Sequence, residues 1–507
     1  MCRFSFRRMG IPPIGAPDMT VRSSIRFLRR GEVVSLDVVP PMQTVLDYLR
    51  LDEKSRGTKE GCNEGDCGAC TVALGSLHDG RIVYEPVNAC ILLVAQLDGK
   101  ELVTVDDLSP DGVLHPVQQA MVDIHGSQCG FCTPGFVMSL FTLYHAGAAP
   151  TRQQIADHIA GNLCRCTGYR PIIDAAMKAC DGRPADQWAA GAAGAARILS
   201  SMHDGADVFV GTPESFVARP VSPDALSRLA AEHPDATIVS GATDVGLWIT
   251  KQLRVLPKII LMGGVSTMQD MTEMPDRVAI GAAATYAEAA EAMGRIDADV
   301  REVLRRLGST HVRASGTIGG NIANGSPIGD TPPMLIALEA TLQLRHGDAT
   351  RRIPLETFFI AYGKQDRAPG ELVWQIDVPK LRAGEHFRAY KISKRFDQDI
   401  SAVMSAFRVT VDDRRIAAAR IAFGGMAAIP KRATRAEAAL SGMSLDDEAS
   451  WNDAIAALAQ DFQPIADMRA SAAYRMEVAQ GLFRKALIEI SGTADATRVV
   501  GARKAVA

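Results

Sequence analysis

A multidomain α+β architecture is predicted for this 507-residue chain, with two small cysteine-bearing units ahead of a larger mixed one. Three observations lead there. Eight of the ten cysteines fall into two sets of four, Cys62-Cys67-Cys70-Cys90 and Cys129-Cys132-Cys164-Cys166. An alanine-glycine stretch from Ala185 to Ile198 then interrupts the chain. Beyond it, short strand-like and helix-like runs alternate, as in an α/β or α+β unit.

The first quartet reads C-x4-C-x2-C with a distant fourth cysteine, the plant-type [2Fe-2S] ferredoxin spacing. Gly61, Gly65 and Gly68 let the backbone wrap closely around a cluster and turn its amides toward sulfur. Ser24 to Leu36 alternates around an Arg30-Gly31 turn like a hairpin, Gln43 to Leu51 has helical spacing, and Thr71 to Leu74 returns as a strand. A small ferredoxin-like domain is expected over residues 22–105. The rival reading is a zinc knuckle or buried cysteines. Zinc favours paired C-x2-C steps but does not account for a five-residue step followed by a distant ligand.

The second quartet is C-x2-C followed by C-x-C. Thr133 is expected to cap, and Pro134 to occupy the first turn of, a helix through Tyr144, while Pro171 opens the run Ile172 to Lys178. Both cysteine pairs then lie just before helix N-termini, where free amides and the helix dipole favour an anion such as a four-thiolate [2Fe-2S] centre. Helical runs at Pro116 to Ile124 and Arg152 to Ala160 complete a four-helix domain over 106–183, with Gly161-Asn162 as a stop signal. A four-cysteine zinc site, also built from short-spaced pairs, is the stronger rival here. Cys2 and Cys180 fit neither quartet and read as a tail thiol and a core side chain.

Residues 184–205 read as a linker, partly helical. After it, strands are expected at Thr237 to Ser240, Lys258 to Met262, Val278 to Ala282, Thr341 to Leu344 and Glu371 to Val378. Two glycine-rich loops, from Val239 and from Gly316, bring small side chains together so that amides can approach a pyrophosphate. Neither is a GxGxxG before a Rossmann helix nor a P-loop, and a plain turn is the bland reading of each. The composition, 47% hydrophobic and 22% charged with a net charge of -3, is globular and carries no footprint for nucleic acid or an anionic membrane. Apolar runs such as Phe136 to Tyr144 fall short of the ~20 residues that span a bilayer. Residues 1–21 read as a disordered extension rather than a secretory signal, which implies a cytoplasmic chain with reduced thiols. No HExxH, GxSxG or Walker motif occurs, and the ten histidines form no metal-ligand cluster in the sequence.

GSQCGFCTPGF from Gly126 and GNLCRCTGYRP from Gly161 resemble the second iron-sulfur module of the molybdenum hydroxylases, the xanthine dehydrogenase and aldehyde oxidase family. The first cysteine block is similar to that family too. RASGTIGGNIANGSPIGD from Arg313 and KISKRFDQDI from Lys391 resemble its flavin domain, in wording nearest the small iron-sulfur/flavin subunits of bacterial xanthine dehydrogenases. The resemblance covers nearly the whole chain after residue 20. It implies a β-grasp fold for the first domain, an α/β FAD-binding domain of the molybdenum-hydroxylase flavoprotein type over 206–384, and an α+β C-terminal domain over 385–500.

By the same resemblance, Ile238, Val239, Ser240, Gly241, Ala242, Thr243, Asp244 and Val245 would form one FAD-pyrophosphate loop, and Thr317, Ile318, Gly319, Gly320 and Asn321 the other. Asp330 and Lys391 would lie near the flavin and the Val373 backbone near its ring. Lys391 and Asp330 are the catalytic candidates, Lys391 by stabilising negative charge that develops on the ring. Arg395, Asp397 and Asp399 would help orient the site; as a bland alternative they form a solvated face. Leu307 stands where many relatives have an aromatic that contacts the flavin. The implied function is electron transfer through two [2Fe-2S] clusters to FAD and then NAD. No stretch after the flavin domain has room for a molybdenum domain, so a large molybdopterin subunit is expected to oxidise hypoxanthine or xanthine, in a heterotetramer of two small and two large chains. The equivalent subunit of an aldehyde or N-heterocycle dehydrogenase is the nearest alternative, and a redox-sensing or assembly protein the alternative from another class.

Overall fold

The computed structural model describes residues 21–180, 182–492 and 497–498. The expected first hairpin forms from Ile25–Arg29 and Glu32–Leu36, joined through Arg30 (φ 53°) and Gly31 (φ 79°) in left-handed conformation. It belongs to a five-stranded sheet in the order Glu32–Leu36, Ile25–Arg29, Glu101–Val103, Thr71–His78, Arg81–Asn88. Ile25–Arg29 runs parallel to Glu101–Val103, and all other neighbours are antiparallel. The helical turn Val45–Asp47, extended by Tyr48–Asp52, lays Val45, Leu46 and Leu49 against Ile25, Phe27, Val72 and Leu74.

Four helices follow, Pro116–Asp123, Thr133–His145, Arg152–Ile159 and Arg170–Ala179, around a core of Phe136, Leu140, Phe141, Ile155 and Ile172 that includes Cys180. Pro134 and Pro171 sit in first turns as expected. Thr133 does not cap: the N-cap is Cys132, and the Thr133 hydroxyl bonds the Ser127 hydroxyl at 2.7 Å. The helix thus starts one residue early, directly at a cysteine.

The alanine-glycine stretch is one 16-residue helix, Gln187–Met202, packed on the first sheet through Leu199 and Met202 beside Leu28, Leu77 and Ile82. Alanine's helix propensity outweighs Gly191 and Gly194, and burial of the C-terminal turn fixes the rest. Val21, expected in the extension, pairs with Asp207 in the two-residue strand Val21–Arg22, because Arg22 is anchored to Asp98 through two side-chain bonds of 2.8 and 2.9 Å. The remainder of that extension, residues 1–20 with Cys2, lies outside the described residues, as do residues 493–496, 499 and 500 of the expected C-terminal domain.

Two five-stranded sheets build the middle of the chain. One is ordered Val21–Arg22, Asp207–Thr212, Ser215–Arg219, Lys258–Leu261, Thr237–Val239; the other Met271–Glu273, Arg277–Gly281, Leu372–Pro379, Thr341–His346, Ala349–Pro354. The last part is a four-stranded antiparallel sheet, Glu385–Ile392, Val403–Asp412, Arg415–Gly424 and Lys431–Arg432. One face of it carries Phe407 and Phe423 into a core shared with Trp451 and helix Ala472–Ser491; the other gives Phe387, Met404 and Ala422 to the core of the middle portion. No helix among the described residues is long and apolar enough to cross a membrane.

Candidate redox-cofactor sites

The first four cysteines gather as two pairs. The amides of Asp66 and Cys67 donate to Cys62 Sγ at 3.4 and 3.3 Å, and the Cys62 amide donates to Cys67 Sγ at 3.2 Å. A bond from the Cys67 thiol, helped by loop amides and opposed by burial, holds the Cys62 thiol down to about 5. Cys70 and Cys90 make the second, buried pair. A Cβ at Gly61 would stand 2.7 Å from Cys67 Sγ, so this position has no room for a side chain. Asn88, which sequence reasoning passed over, ties the loop to its strand by donating from Nδ2 to Gly65 O at 3.0 Å.

The second quartet pairs likewise, Cys129 with Cys166 and Cys132 with Cys164. Cys164 Sγ lies 3.2 Å from Thr167 Oγ1, and the Cys164 amide donates to Tyr169 Oη at 2.9 Å. Cys129 and Cys166 are exposed, flanked in sequence by exposed Phe131 and Leu163. A single tetrahedral zinc, with Zn–S near 2.3 Å, would bring four sulfurs to within about 3.8 Å of one another. Neither quartet closes that far: among the described residues, the only three ligand atoms all within 4.8 Å of each other belong to His115, His145 and Asp186. Sulfurs held as two separate pairs fit a two-iron centre, one pair per iron.

The histidines do therefore meet a carboxylate in the fold, which their sequence spacing did not suggest. His115 Nε2 and His145 Nε2 lie 2.7 and 2.8 Å from Asp186 Oδ2. The Val117 amide donates to His115 Nδ1 at 3.2 Å, which leaves the imidazole proton on Nε2, facing Asp186. The trio is a hydrogen-bonded latch on the helix that Asp186 caps, Oδ1 accepting from the Ala189 amide at 2.8 Å.

A cleft of about 650 Å³ opens between the middle sheets and receives the predicted FAD residues. Every predicted loop residue lines it except Val239 and Ile318, which are buried in the two cores. The first loop turns at Ala242 (φ 60°) between strand Thr237–Val239 and helix Val245–Thr250. The second caps helix Ile318–Asn324 through Thr317 Oγ1, which accepts from the Gly320 amide at 3.1 Å. Asp244 accepts from Asn324 Nδ2 at 2.7 Å, and desolvation by the surrounding cleft pushes its carboxyl above the usual range.

Asp330 and Lys391 meet at the cleft wall. Lys391 Nζ donates to Asp330 Oδ2 at 2.5 Å, and Ser401 Oγ donates to Asp330 Oδ1, also at 2.5 Å; all three residues are buried. Val373 and Leu307 line the cleft as well. Of the three charged residues expected to orient the site, only Asp399 lines the cleft. Arg395 turns toward Asp66 in the first cysteine loop, 3.5 Å away, and half-buried Asp397 is set among Arg305, Arg306 and Arg313.

Sequence reasoning missed that the first domain helps to form this cleft. Glu64, Gly65 and Ile91 line it. Ile91 packs so closely on the loop that a Cβ at Gly246 would lie 2.6 Å from its own Cβ, and Gln96 Nε2 donates to Ser240 O at 3.0 Å. Gln398 reaches across to donate to Asp66 O, while its buried Oε1 has no partner and sits at the cleft. An orphaned acceptor, glycine-lined loops and a buried cation are features that a bound dinucleotide would use. The residues present fit FAD.

Four family models match in chain order: a 2Fe-2S iron-sulfur cluster binding domain over 28–95, a [2Fe-2S] binding domain over 104–177, the FAD binding domain in molybdopterin dehydrogenase over 212–381, and the CO dehydrogenase flavoprotein C-terminal domain over 388–490. Xanthine dehydrogenase of Emericella nidulans is 31% identical over 520 residues, covering 91% of this chain. The chain belongs to the molybdenum hydroxylase family. It is an electron-transfer module of that family, built from [2Fe-2S]-binding and FAD-binding domains. Xanthine dehydrogenase/oxidase of Rattus norvegicus is likewise 31% identical, over 509 residues and 88% of this chain. The module spans only 38% and 37% of the length of these two relatives. Among solved structures, reconstituted CO dehydrogenase from Oligotropha carboxidovorans is 24% identical with a TM-score of 0.51, over 54% of this chain and 97% of that one. Quinoline 2-oxidoreductase from Pseudomonas putida 86 is 22% identical with a TM-score of 0.50, over 54% of this chain and 96% of that one. At these identities the likeness is one of fold.

Proposed function

We propose that this module is the electron-transfer subunit of a xanthine dehydrogenase. The reading takes the eight paired cysteines as ligands of two [2Fe-2S] clusters and the cleft as the FAD site. When bound, these groups supply one-electron transfer at the clusters and hydride exchange with NAD at the flavin. One observation carries the order of transfer: Gly65 and Ile91, from the first cysteine unit, line the cleft, whereas Cys129 and Cys166 of the second are exposed. The first cluster would thus face FAD and the second a partner. Phe131 and Leu163, 51% and 38% exposed beside those cysteines, support a covered face there. The partner in this reading is a large molybdopterin-binding subunit that oxidises hypoxanthine or xanthine, two of each chain assembling in the cytoplasm.

Within the chain, the loop amides of residues 62–67 neutralise charge on the first thiolates, and the two glycine loops admit a pyrophosphate. Lys391 keeps a buried positive charge at the flavin site, held in place by Asp330 and Ser401. The test is analysis of iron, flavin and molybdenum in the protein purified with whatever chain accompanies it, followed by xanthine-dependent NAD reduction. Roughly four irons and one FAD per copy, molybdenum on a larger chain, and turnover with xanthine are expected. The same cofactors without xanthine turnover would give the substrate to an aldehyde or N-heterocycle dehydrogenase. A colourless protein with zinc and no iron would end the reading.

A further inference from the structure

Where the two cysteine units touch, beside the packing of Ala73, Val103 and Tyr84 on the four-helix core, a set of hydrogen bonds gathers around one side chain. Asn162 is 1% exposed. Its Nδ2 donates to Gly68 O at 3.1 Å and to Thr71 Oγ1 at 3.0 Å, both in the first unit, and its Oδ1 accepts from Ser139 Oγ at 2.6 Å in the second. The Thr71 hydroxyl donates to Gly68 O at 2.6 Å, so it can only accept from Asn162. Backbones approach closely enough to forbid side chains: a Cβ at Gly68 would stand 2.3 Å from Gly161 O, and one at Gly135 2.2 Å from Gly68 O.

This joint delivers one contact between the quartets. The Leu163 amide donates to Cys67 O at 2.9 Å. Cys67 belongs to the first quartet, and Cys164, the residue after Leu163, to the second. The backbone path from one cysteine to the other therefore crosses a single hydrogen bond and no gap. Electrons tunnel more readily along bonds than across empty space, so this path depends on keeping that bond short.

Resting on the cluster reading above, we propose that Asn162 is the positioning residue for electron transfer between the two clusters. By fixing Gly68 and Thr71 on one side and Ser139 on the other, it sets the register that holds the Leu163 amide on Cys67. Its position in sequence suggests only a helix stop. Its bonds run to residues 91 and 94 positions away.

The experiment compares wild-type protein with Asn162→Asp, which keeps the shape and replaces the amide donor to Gly68 O and Thr71 Oγ1 with a carboxylate oxygen that can only accept. In protein loaded with both clusters, the rate of electron equilibration between them is followed after rapid one-electron injection. The magnetic broadening that each reduced cluster imposes on the other is read from electron paramagnetic resonance. Hydrogen exchange at the Leu163 amide is read separately and needs no cluster. A fall in rate of about tenfold, weakened broadening and faster exchange are expected, with iron and flavin content retained. A purely structural role would lower the melting temperature and leave the rate alone. Equal rates with both clusters present in both proteins would overturn the proposal, whereas a wild type lacking iron would overturn the cluster reading itself. If Asn162→Asp does not fold, Thr71→Val removes one of the two anchors, and an unchanged rate and exchange there would overturn the proposal equally.

Discussion

At Gly241 the two cofactor loops meet so closely that a Cβ would lie 1.8 Å from Ser315 O and 2.9 Å from Gly316 Cα. Gly241→Ala must force the loops apart, and the expected outcome is loss of bound flavin, measured as the flavin-to-protein ratio after gel filtration. The Lys391–Asp330 pair allows a sharper separation of stability from chemistry. Lys391→Met leaves a buried carboxylate without its cation, a change that costs about 3–5 kcal/mol and lowers the denaturation midpoint. Lys391→Met combined with Asp330→Asn removes the stranded charge, so stability should return while NADH-driven flavin reduction stays slow. If reduction returns along with stability, Lys391 is structural. The glycine loops were legible as backbone features because a glycine run constrains local conformation, whereas their expected role as a pyrophosphate cradle came from the family resemblance. Gln398 and Asn162 were not legible, since their partners Asp66 and Gly68 lie 332 and 94 residues away and no local pattern encodes such a bond.

The helices around the second quartet illustrate what an element's sequence carries. Apolar spacing, with proline in the first turn of three of them, placed all four helices within a residue or two, because those signals act within one turn. The helix Gln187–Met202 was harder to see, since its stability is tertiary. Only Leu199 and Met202 of it are buried, against Leu28, Leu77 and Ile82 of a sheet formed far earlier in the chain, and Asp186 holds its start. Burial pushes the Asp186 carboxyl up, and bonds from His115, His145 and the Ala189 amide outweigh it and hold it well below the usual range. Asp186→Ala should therefore lose a cap worth about 1–2 kcal/mol and strand two imidazoles, each costing about 1–3 kcal/mol. Asp186→Asn keeps an acceptor and a cap. The expected order of thermal midpoints is wild type, Asp186→Asn, Asp186→Ala, and equal midpoints for the last two would place the stabilisation in the charge alone.

At the scale of the whole molecule, the units were readable one by one, but their docking was not. His311 of the flavin portion makes this plain. Its Nε2 lies 3.0 Å from Thr71 Oγ1 and 3.1 Å from Ser139 Oγ, so a single imidazole touches both cysteine units. The Thr71 and Ser139 protons are already given to Gly68 O and Asn162 Oδ1, so Nε2 carries the proton, and the buried Nδ1 has no partner. Burial, with help from His158 and Arg313, pushes this imidazole down to about 3. An unfolded histidine takes up a proton near pH 6.5, and the folded one does not until far lower, so the unfolded state binds the extra proton in between. Stability must then fall as pH drops from about 6.5 toward 3, by about 1.4 kcal/mol per pH unit for this group. His158, pushed down to about 4 by burial, adds to the same slope, while Glu85, raised to about 7 by burial, opposes it. The difference between wild type and His311→Gln isolates the one residue. His311→Gln should be less stable at pH 8, where the native imidazole makes both bonds, and should lose stability less steeply between pH 6.5 and 4.5. Parallel profiles in that window would mean that His311 is protonated in the folded protein and that the three-unit joint tolerates its charge.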